Sequence, residues 1–187
     1  MTAKIYPDKE GDPVHFYPGP AGAKEWTHAS YSPKTGLFYV PVQDTGATVA
    51  RRRREFKESI PYWGAAVTVD TEDLSGSVTA FDPATGQEVW RWRNKLPMCA
   101  SVLATGGGLV FAGEPTGEYN ALDAETGDHL WQFQCGSGHH SSPCSYSVDG
   151  KQYIAVPTGW GAWTEGFFPG ALGAGQGSSL IAFALPD

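Results

Sequence analysis

The sequence lacks the patterns of helical and membrane-spanning proteins. No segment places apolar residues at helical spacing over a useful length, and no apolar run is long enough to cross a bilayer. Residues 1–9 also lack the apolar core of a secretory signal peptide. We therefore expect a chain with no membrane span, which is cytoplasmic if Met1 is the natural start.

Positively charged residues are scarce as well. The 187 residues include 13 Lys and Arg against 20 Asp and Glu, and the net charge of −7 argues against general binding to nucleic acid or to anionic membranes. One run, RRRREFKE at 51–58, has the composition of a nucleic-acid or nuclear-targeting patch. Because two Glu residues follow the Arg residues and the chain as a whole is acidic, we interpret the run as a solvated or subunit-facing loop.

Cysteine is rare, and its three copies leave one thiol unpaired in any pairing scheme. Cys135 and Cys144 flank the adjacent His139 and His140, and tetrahedral zinc accepts thiolate and imidazole ligands. Structural zinc sites usually pair ligands roughly two to four residues apart, however, whereas adjacent side chains on a strand diverge. The spacing therefore disfavours a zinc site, and a Cys135–Cys144 disulfide is a second minor alternative.

Glycine, proline and aromatic residues, in contrast, are abundant. The sequence contains 24 Gly and 14 Pro, with 13% aromatic and 41% hydrophobic residues. This composition is typical of a turn-rich all-β protein, and the chain is long enough to bury a core.

One motif occurs twice, as GSVTAFDPATGQEVWRW at 76–92 and as GEYNALDAETGDHLWQF at 117–133. The shared frame is Gly-x-x-x-Ala-x-Asp-x-x-Thr-Gly-x-x-x-Trp, and each fixed residue recurs after 41 residues. Repeats of about 40 to 50 residues with turn signals are typical of propeller blades. The paired positions are Gly76/Gly117, Ala80/Ala121, Asp82/Asp123, Thr85/Thr126, Gly86/Gly127 and Trp90/Trp131.

Each copy of the motif predicts an antiparallel hairpin. An alternating run leads into Asp-x-x-Thr-Gly, where Asp can bond the backbone of its own turn and Gly can adopt a positive φ. A second alternating run contains a large aromatic residue, Trp90 or Trp131, that is suited to burial between packed sheets. We therefore predict that the two copies are the outer hairpins of small antiparallel sheets.

The chain as a whole divides into three such sheet units. Each outer hairpin is preceded by another hairpin with its own turn, which gives units at about 26–93, 98–135 and 140–185. A polar insertion at about 43–75 interrupts the first unit, and an aromatic, Gly-rich insertion at about 159–177 interrupts the third.

The third unit has one candidate strand fewer than a four-stranded blade. Its candidate strands are SSPCSYSV, QYIAVPTG and SSLIAFAL. A propeller has about four to eight blades and closes when one terminus completes the blade begun by the other, so three blades are part of a ring. The unpaired sheet edge and the uncovered end faces predict self-association or contact with the remaining blades.

Three long motifs in order carry a family resemblance. They are GAKEWTHASYSPKTGLFYVPV at 22–42, VLATGGGLVFAGEPTGEYNALDAETGDHLWQF at 102–133 and SSPCSYSVDGKQYIAVPTGWGAW at 141–163. Together they resemble the C-terminal part of the pyrroloquinoline-quinone (PQQ)-dependent alcohol dehydrogenases, the methanol and ethanol dehydrogenase family, over roughly residues 17–186. The resemblance implies an all-β propeller of eight four-stranded antiparallel blades, about three of which this chain supplies. It also implies a structural docking role for the repeated Asp and Trp residues.

The resemblance places the cofactor on the face where one blade leads into the innermost strand of the next. Three such links exist, GAKEW at 22–26, LPMCAS at 96–101 and GSGHHSSP at 136–143. The residues that they gather on one face are Glu25, Trp26, Cys99, Ala100, His139 and His140.

Four of these residues are candidate cofactor contacts. Glu25 stands where the family commonly has an Asn that reaches the quinone, and Trp26 follows it as in the family. Glu25 lacks an amide donor, so a direct bond to a quinone oxygen requires a protonated carboxyl or a water. Many members have Trp or Asn at the Cys99 position, where the contact is largely through backbone N–H, so Cys99 and Ala100 are candidates beside a simple packing role.

The stretch GWGAWTEGFFP at 159–169 matches the loop that helps to roof the substrate cavity in the family. Aromatic walls suit the alkyl part of an alcohol and exclude water from a hydride acceptor. The candidate substrate-side residues are Trp160, Trp163, Phe167 and Phe168, and the alternative is that they only pack the insertion onto the propeller.

Other parts of the family chemistry are not recognisable in this sequence. They are a general-base Asp, a calcium or lanthanide ion on the quinone oxygens, an aromatic floor under the cofactor and a vicinal disulfide. No adjacent Cys pair occurs, and the acids match none of these roles by motif. The resemblance implies that the missing parts belong to earlier blades, that the complete enzyme is periplasmic and that its electrons pass to a cytochrome c.

The sequence thus predicts a C-terminal segment of a quinoprotein alcohol dehydrogenase that oxidises a primary alcohol to an aldehyde with PQQ as hydride acceptor. The segment would contribute one wall of the cofactor and substrate site. Whether the chain is an enzyme by itself is left open, because its base and metal site are not recognisable. The alternatives are a non-catalytic propeller module that acts through oligomerisation and a β-rich domain that binds a ligand without redox chemistry.

Overall fold

The computed structural model describes residues 7, 9–20, 22–52, 55–59, 62, 64–160 and 177–185. These residues form fourteen β-strands and no helix, and thus include no helix that could cross a membrane. The strands are β1 (Pro13–Phe16), β2 (Ser30–Ser32), β3 (Leu37–Asp44), β4 (Ala47–Arg51), β5 (Ala65–Val69), β6 (Ser75–Phe81), β7 (Glu88–Asn94), β8 (Leu103–Ala104), β9 (Leu109–Gly113), β10 (Glu118–Asp123), β11 (His129–Gln134), β12 (Cys144–Val148), β13 (Lys151–Thr158) and β14 (Ser179–Ala184).

The strands form four antiparallel sheets. Blade 1 has the order β2-β3-β6-β7, blade 2 the order β8-β9-β10-β11 and blade 3 the order β12-β13-β14, while β1-β4-β5 form a separate side sheet. The all-β class and the four-stranded antiparallel blades predicted from the sequence are confirmed. The Trp-containing strands β7 and β11 lie at the edges of their sheets, as the repeat predicts.

The two repeats fold with the same register. Ala80 pairs with Trp90 in blade 1, Ala121 pairs with Trp131 in blade 2, and each register shifts immediately afterwards. Equal register at the same motif position means that one sequence frame specifies one hairpin geometry.

The Asp residues of the repeat hold the hairpin turns. The carboxylate of Asp123 accepts hydrogen bonds from the backbone N–H groups of Glu125 and Thr126 at 2.8 and 3.0 Å, and that of Asp82 accepts one from Ala84 at 2.8 Å. Hydrogen bonds to the charged form favour it, so they lower the pKa of both Asp82 and Asp123.

Trp90 docks blade 1 onto the turn of blade 2. Its indole N–H donates to the carbonyl oxygen of Ala124 at 3.1 Å, and the Tyr39 hydroxyl donates to the same oxygen at 2.9 Å. Gly127 lies under the indole with φ of 77°, and a Cβ there would stand 2.6 Å from the Trp90 ring. Trp90 is therefore buried, with 8% of its surface exposed.

Trp131 does not repeat this arrangement. Its ring contacts Phe133 and Phe183, with centroids 6.2 and 5.2 Å away, but 39% of its surface is exposed. Within the described residues, no turn covers it as residues 124–127 cover Trp90. The burial predicted for both Trp residues is thus correct for Trp90 and wrong for Trp131.

The segment interpreted from the sequence as a polar insertion at 43–75 contains part of the side sheet. Strand β4 pairs with β1 on one side and with β5 on the other. Ala47 and Val49 of β4 are buried, and His15 bridges to Asp70 at 2.9 Å. Strands β4 and β5 are short, their apolar side chains are small, and polar residues separate them. The sequence pattern therefore did not predict them as strands.

Candidate functional site

The loops that begin the three blades meet on one face of the chain. The side-chain oxygen of Ser101 accepts a hydrogen bond from the His28 N–H at 2.8 Å and lies 2.8 Å from the Ser142 hydroxyl. The His28 ring nitrogen Nδ1 lies 3.0 Å from the same Ser142 hydroxyl. Backbone bonds from Val102 to His28 and from Ser101 to Ser141 run beside these contacts. The three blade starts, which the sequence placed on one face, are therefore joined by hydrogen bonds.

Three aromatic rings form a wall next to this junction. The centroid of the His140 ring lies 5.0 Å from that of Trp26 and 6.2 Å from that of Trp160, both with edge-on geometry. We call these three residues the aromatic wall. Trp26 is 53% exposed, so its ring is open to a ligand. Burial lowers the pKa of His140, which keeps its ring neutral near pH 7.

Trp160 is fixed by close backbone packing. Gly159 donates its N–H to the carbonyl oxygen of Gly138 at 2.8 Å. A Cβ on Gly138 would stand 3.0 Å from the Trp160 ring, so glycine lets the loop and the indole approach each other. On another side, Trp160 packs against the buried Cys99.

The loop around Glu25 is held by its own charged side chains. The ammonium group of Lys24 donates to the carbonyl oxygens of Glu25, at 2.6 Å, and of Thr27. The carboxylate of Glu25 accepts the N–H of Trp26 at 2.8 Å, and Glu25 itself is exposed. The Thr27 hydroxyl is buried and has no hydrogen-bond partner among the described residues.

The other predicted site residues have different surroundings. Cys99 and Ala100 are almost fully buried, and burial raises the pKa of the Cys99 thiol to about 12, so the thiol stays protonated. Their predicted backbone contact with a cofactor stays a prediction. Trp163, Phe167 and Phe168 lie outside the described residues, and their predicted role on the substrate side also stays a prediction.

The two adjacent histidines point to different environments. The ring of His139 is buried against Tyr119, with centroids 5.4 Å apart, and its Nε2 lies 3.3 Å from the Gly117 carbonyl oxygen. His140, in contrast, belongs to the aromatic wall. All three cysteines are free, so the Cys135–Cys144 disulfide is not formed. In the part of the chain that the structure describes, no three His, Cys, Asp or Glu side chains are grouped to hold a metal ion.

The sequence reasoning missed the hydroxyl groups that tie the blade starts together. Ser101 and Ser142 bond to each other, and Ser30 accepts the N–H of Ala104 at 3.0 Å. A serine stands near the beginning of each predicted unit, and this pattern could have indicated the junction. Serine is common in turn-rich chains, so the pattern does not stand out in this sequence.

Comparison with known proteins gives two kinds of match. A family model described as outer membrane protein assembly factor BamB matches residues 74–163. That range contains both copies of the repeat, so this match concerns the repeated sheet unit.

Longer matches cover nearly the whole chain. The quinoprotein alcohol dehydrogenase PedH of Pseudomonas putida is 38% identical over 185 residues, which are 96% of this chain and 31% of PedH. The quinoprotein ethanol dehydrogenase of Pseudomonas putida is also 38% identical, over 96% of this chain and 30% of its own length. Among solved structures, a europium-containing methanol dehydrogenase superposes with a TM-score of 0.83 at 29% identity, over 95% of this chain and 36% of that one. The chain thus spans about a third of the length of these curated relatives.

Proposed function

We infer the function from the family to which this chain is related in sequence and fold, the quinoprotein alcohol dehydrogenases, as its motifs predict. We propose that the chain is a three-blade C-terminal segment of such an enzyme. It contributes one wall of a site in which a primary alcohol is oxidised to an aldehyde with PQQ as cofactor.

The observation that carries this proposal is the convergence of the three blade starts beside an exposed indole. Trp26, His140 and Trp160 come from different segments of the chain, and the ring centroids of Trp26 and Trp160 lie 5.0 and 6.2 Å from that of His140. Ligand sites in proteins usually combine aromatic walls with a few fixed polar groups at such a convergence.

The aromatic wall fits one face of a flat, fused-ring cofactor. The exposed ring of Trp26 offers a stacking surface, and the neutral His140 adds no charge next to it. Trp160 and the buried Cys99 behind it form a dry boundary. PQQ held against this wall would supply the hydride acceptor for oxidation of the alcohol.

The polar groups around Trp26 orient it rather than react. Lys24 fixes the loop through two carbonyl oxygens, and Glu25 fixes the Trp26 N–H. A Glu25 carboxylate and a quinone oxygen are both acceptors, so we assign their contact to a bridging water or to the protonated acid. The buried hydroxyl of Thr27 is a further donor close in sequence to Trp26.

We assign the metal ion and the catalytic base to the blades that this chain does not contain. The described residues hold no cluster suited to calcium or a lanthanide, so the chain's own part is to bind, orient and exclude water. We also propose, from the family, that the complete enzyme is periplasmic and reduces a cytochrome c.

Titration of the chain with PQQ tests the site. Because the exposed indole of Trp26 would stack on the cofactor, Trp26→Ala should raise the Kd for PQQ about tenfold, which corresponds to about 1.4 kcal/mol. Trp131→Ala is the matched control, because Trp131 lies in the other outer strand and outside the aromatic wall. Equal affinity of the two variants for PQQ, measured by quenching of Trp fluorescence, would contradict the proposed site.

A dye-linked assay of alcohol oxidation tests whether the metal ion and the catalytic base come from the other blades. The isolated chain with PQQ and calcium or a lanthanide should give no turnover, because base, metal and hydride acceptor must be fixed together. Turnover should appear when the chain is mixed with a protein that supplies the remaining blades. Turnover by the isolated chain that Glu25→Ala abolishes would show a complete site in this segment and refute the proposal.

A further inference from the structure

The turn between β9 and β10, residues 114–117, packs directly under the third link, residues 136–143. A Cβ on Gly138 would clash with the carbonyl oxygen of Pro115 in this turn and would stand 3.0 Å from the Trp160 ring. Glycine at this position therefore lets the turn, the link and the indole lie against one another. The turn thus supports the part of the aromatic wall that belongs to the third link.

Glu114, the first residue of this turn, has hydrogen-bond partners in two blades and in the third link. Its backbone carbonyl oxygen accepts the N–H of His139 at 3.2 Å. One carboxylate oxygen accepts the side-chain amide of Asn120, in β10 of blade 2, at 2.8 Å, and the other accepts that of Asn94, in β7 of blade 1. A single acidic residue therefore joins elements that carry the wall.

Asn94 extends this contact to the second link. Its side-chain oxygen accepts the N–H of Leu96 at 2.8 Å. Leu96 and Trp160 both pack against the buried Cys99. Glu114 therefore reaches the aromatic wall by a second route, which is independent of the third link.

The two amides require an acceptor at both carboxylate oxygens. Because the oxygen of the Asn94 amide is occupied by a backbone N–H, its nitrogen faces Glu114. The amide nitrogen of the fully buried Asn120 also lies 3.5 Å from the carbonyl oxygen of Ala112. A carboxylate accepts at both oxygens, whereas the amide of a Gln would set an N–H group against one of the two Asn donors. The donors therefore specify Glu at this position.

We propose that Glu114 is a positioning residue for the aromatic wall. It holds the second and third links at the spacing that sets His140 and Trp160 beside Trp26, and it acts on a bound ligand only through these links. The identity of the ligand, PQQ, rests on the proposed function, whereas the positions of the three rings do not. Glu114 lies outside the residues that the family resemblance predicts as contacts, so its role follows from the geometry.

An exchange of donor and acceptor tests this role. Glu114→Gln keeps the shape of the side chain but sets a donor against a donor. Asn94→Asp sets a second carboxylate against Glu114, which is more unfavourable because like charges repel. In the double variant the new amide can donate to the new carboxylate, which still accepts the N–H of Leu96. Glu125→Gln is the control, because it removes the same charge from an exposed turn at the other end of β10.

The first readout is the ring of His140 in the chain without PQQ. Its NMR signals depend on the ring currents of Trp26 and Trp160, whose centroids lie 5.0 and 6.2 Å away. We expect the two single variants to move these signals, the double variant to restore them and the control to leave them unchanged. Circular dichroism of each variant checks that it is folded under the same conditions. A lower Tm alone does not move the signals of a folded chain.

The second readout is the affinity for PQQ, measured by quenching of Trp fluorescence. Glu114→Gln should raise the Kd about fivefold, and Asn94→Asp should raise it at least about tenfold. The double variant should return the Kd to within about twofold of the wild-type value, and the control should not change it.

The two readouts separate the role of Glu114 from the proposed function. If the wild-type chain does not bind PQQ, the proposed function fails, and the His140 signals alone decide. Unmoved signals in Glu114→Gln would overturn the inference, and so would a double variant that stays as altered as Glu114→Gln. Moved signals beside an unchanged Kd would also overturn it, because the ring positions are expected to set the affinity. Should Asn94→Asp fail to fold, the comparison of Glu114→Gln with the double variant is sufficient.

Discussion

At the scale of single residues, one backbone oxygen connects two blades. The carbonyl of Ala124 accepts hydrogen bonds from the Tyr39 hydroxyl and the Trp90 indole, both from blade 1. The Thr35 hydroxyl lies 2.6 Å from that of Tyr39, so each polar atom near this oxygen is paired. A buried polar atom that loses its partner is costly, which makes this contact sensitive to small changes.

Trp90→Ala should lower the free energy of unfolding by about 3 to 5 kcal/mol, because the indole is buried and the cavity would not refill. Urea denaturation followed by circular dichroism measures the change. Trp131→Ala is the control and should cost clearly less, since 39% of that side chain is already in water. Equal losses would mean that docking on the blade 2 turn contributes nothing to stability.

The two adjacent histidines predict a loss of stability in acid. Desolvation lowers the pKa of both His139 and His140 in the folded chain below the ordinary value of 6.5. The unfolded chain therefore binds protons first as the pH falls below about 6.5, and the folded state loses stability from there through its own lower pKa values. The free energy of unfolding should decrease as the pH falls below about 6.5.

Substitution of one histidine checks this pH dependence. His139→Gln should flatten the curve of unfolding free energy against pH, because the buried ring that resists protonation is gone. A slope that persists in His139→Gln would assign the acid sensitivity to other groups.

At the scale of elements, the same hairpin motif makes different packing contacts in the two blades. The turn of Asp123 carries the oxygen and the glycine that receive Trp90. The carboxylate of Asp82 also accepts a backbone N–H of its own turn, but this turn receives no Trp side chain from the described residues. The motif specifies the turn, and the neighbouring blade decides what the turn supports.

Asp123→Ala should therefore lower Tm more than Asp82→Ala. Both variants lose a carboxylate that accepts hydrogen bonds from turn N–H groups, but only the first also loosens the surface under Trp90. Thermal unfolding of the two variants side by side gives the comparison. A larger effect of Asp82→Ala would contradict the docking role of the blade 2 turn.

The sequence predicted the individual hairpins better than the contacts between one element and the next. Repeated Asp, Gly and Trp positions were sufficient to predict both outer hairpins, because turn chemistry and strand alternation are local. The burial of Trp131 was predicted wrongly, since burial depends on the element that covers a side chain and not on its own motif. The side sheet was missed because strands β4 and β5 are short and separated by polar residues.

The candidate site was predictable only as a set of loops. The resemblance predicted Trp26 and Trp160 as site residues, and both belong to the aromatic wall. The hydroxyl junction of His28, Ser101 and Ser142 was not predictable, because it joins residues that no local pattern relates.

At the scale of the whole molecule, the end faces, which are the faces of blades 1 and 3 that point away from blade 2, each carry exposed apolar side chains. Tyr31 and Phe38 are 53% and 39% exposed on blade 1, and Leu180 and Tyr146 are 71% and 41% exposed on blade 3. Exposed apolar patches on soluble proteins usually mark surfaces that bind other protein surfaces. The end faces are thus suited to cover each other or to meet further blades.

The isolated chain should self-associate at micromolar concentration through these end faces. Light scattering should show a mean mass that rises with concentration. Leu180→Lys should reduce the rise, because it places a charge on the blade 3 face, whereas Thr71→Lys in an exposed loop should not. A monomeric mass at all concentrations would contradict the prediction that the end faces bind each other.

The route of folding follows from how far apart along the chain the bonded residues lie. The strands of blade 2 are joined by short turns, whereas the pairing of β3 with β6 in blade 1 must close over the side-sheet hairpin. The bonds from His28 to Ser101 and to Ser142 span 73 and 114 residues. Closing longer loops costs more chain entropy and slows folding. We therefore expect blade 2 to form first, blade 1 to assemble on it, and the hydroxyl junction to form last. The face with the candidate site then becomes ordered only when all three blades are in place.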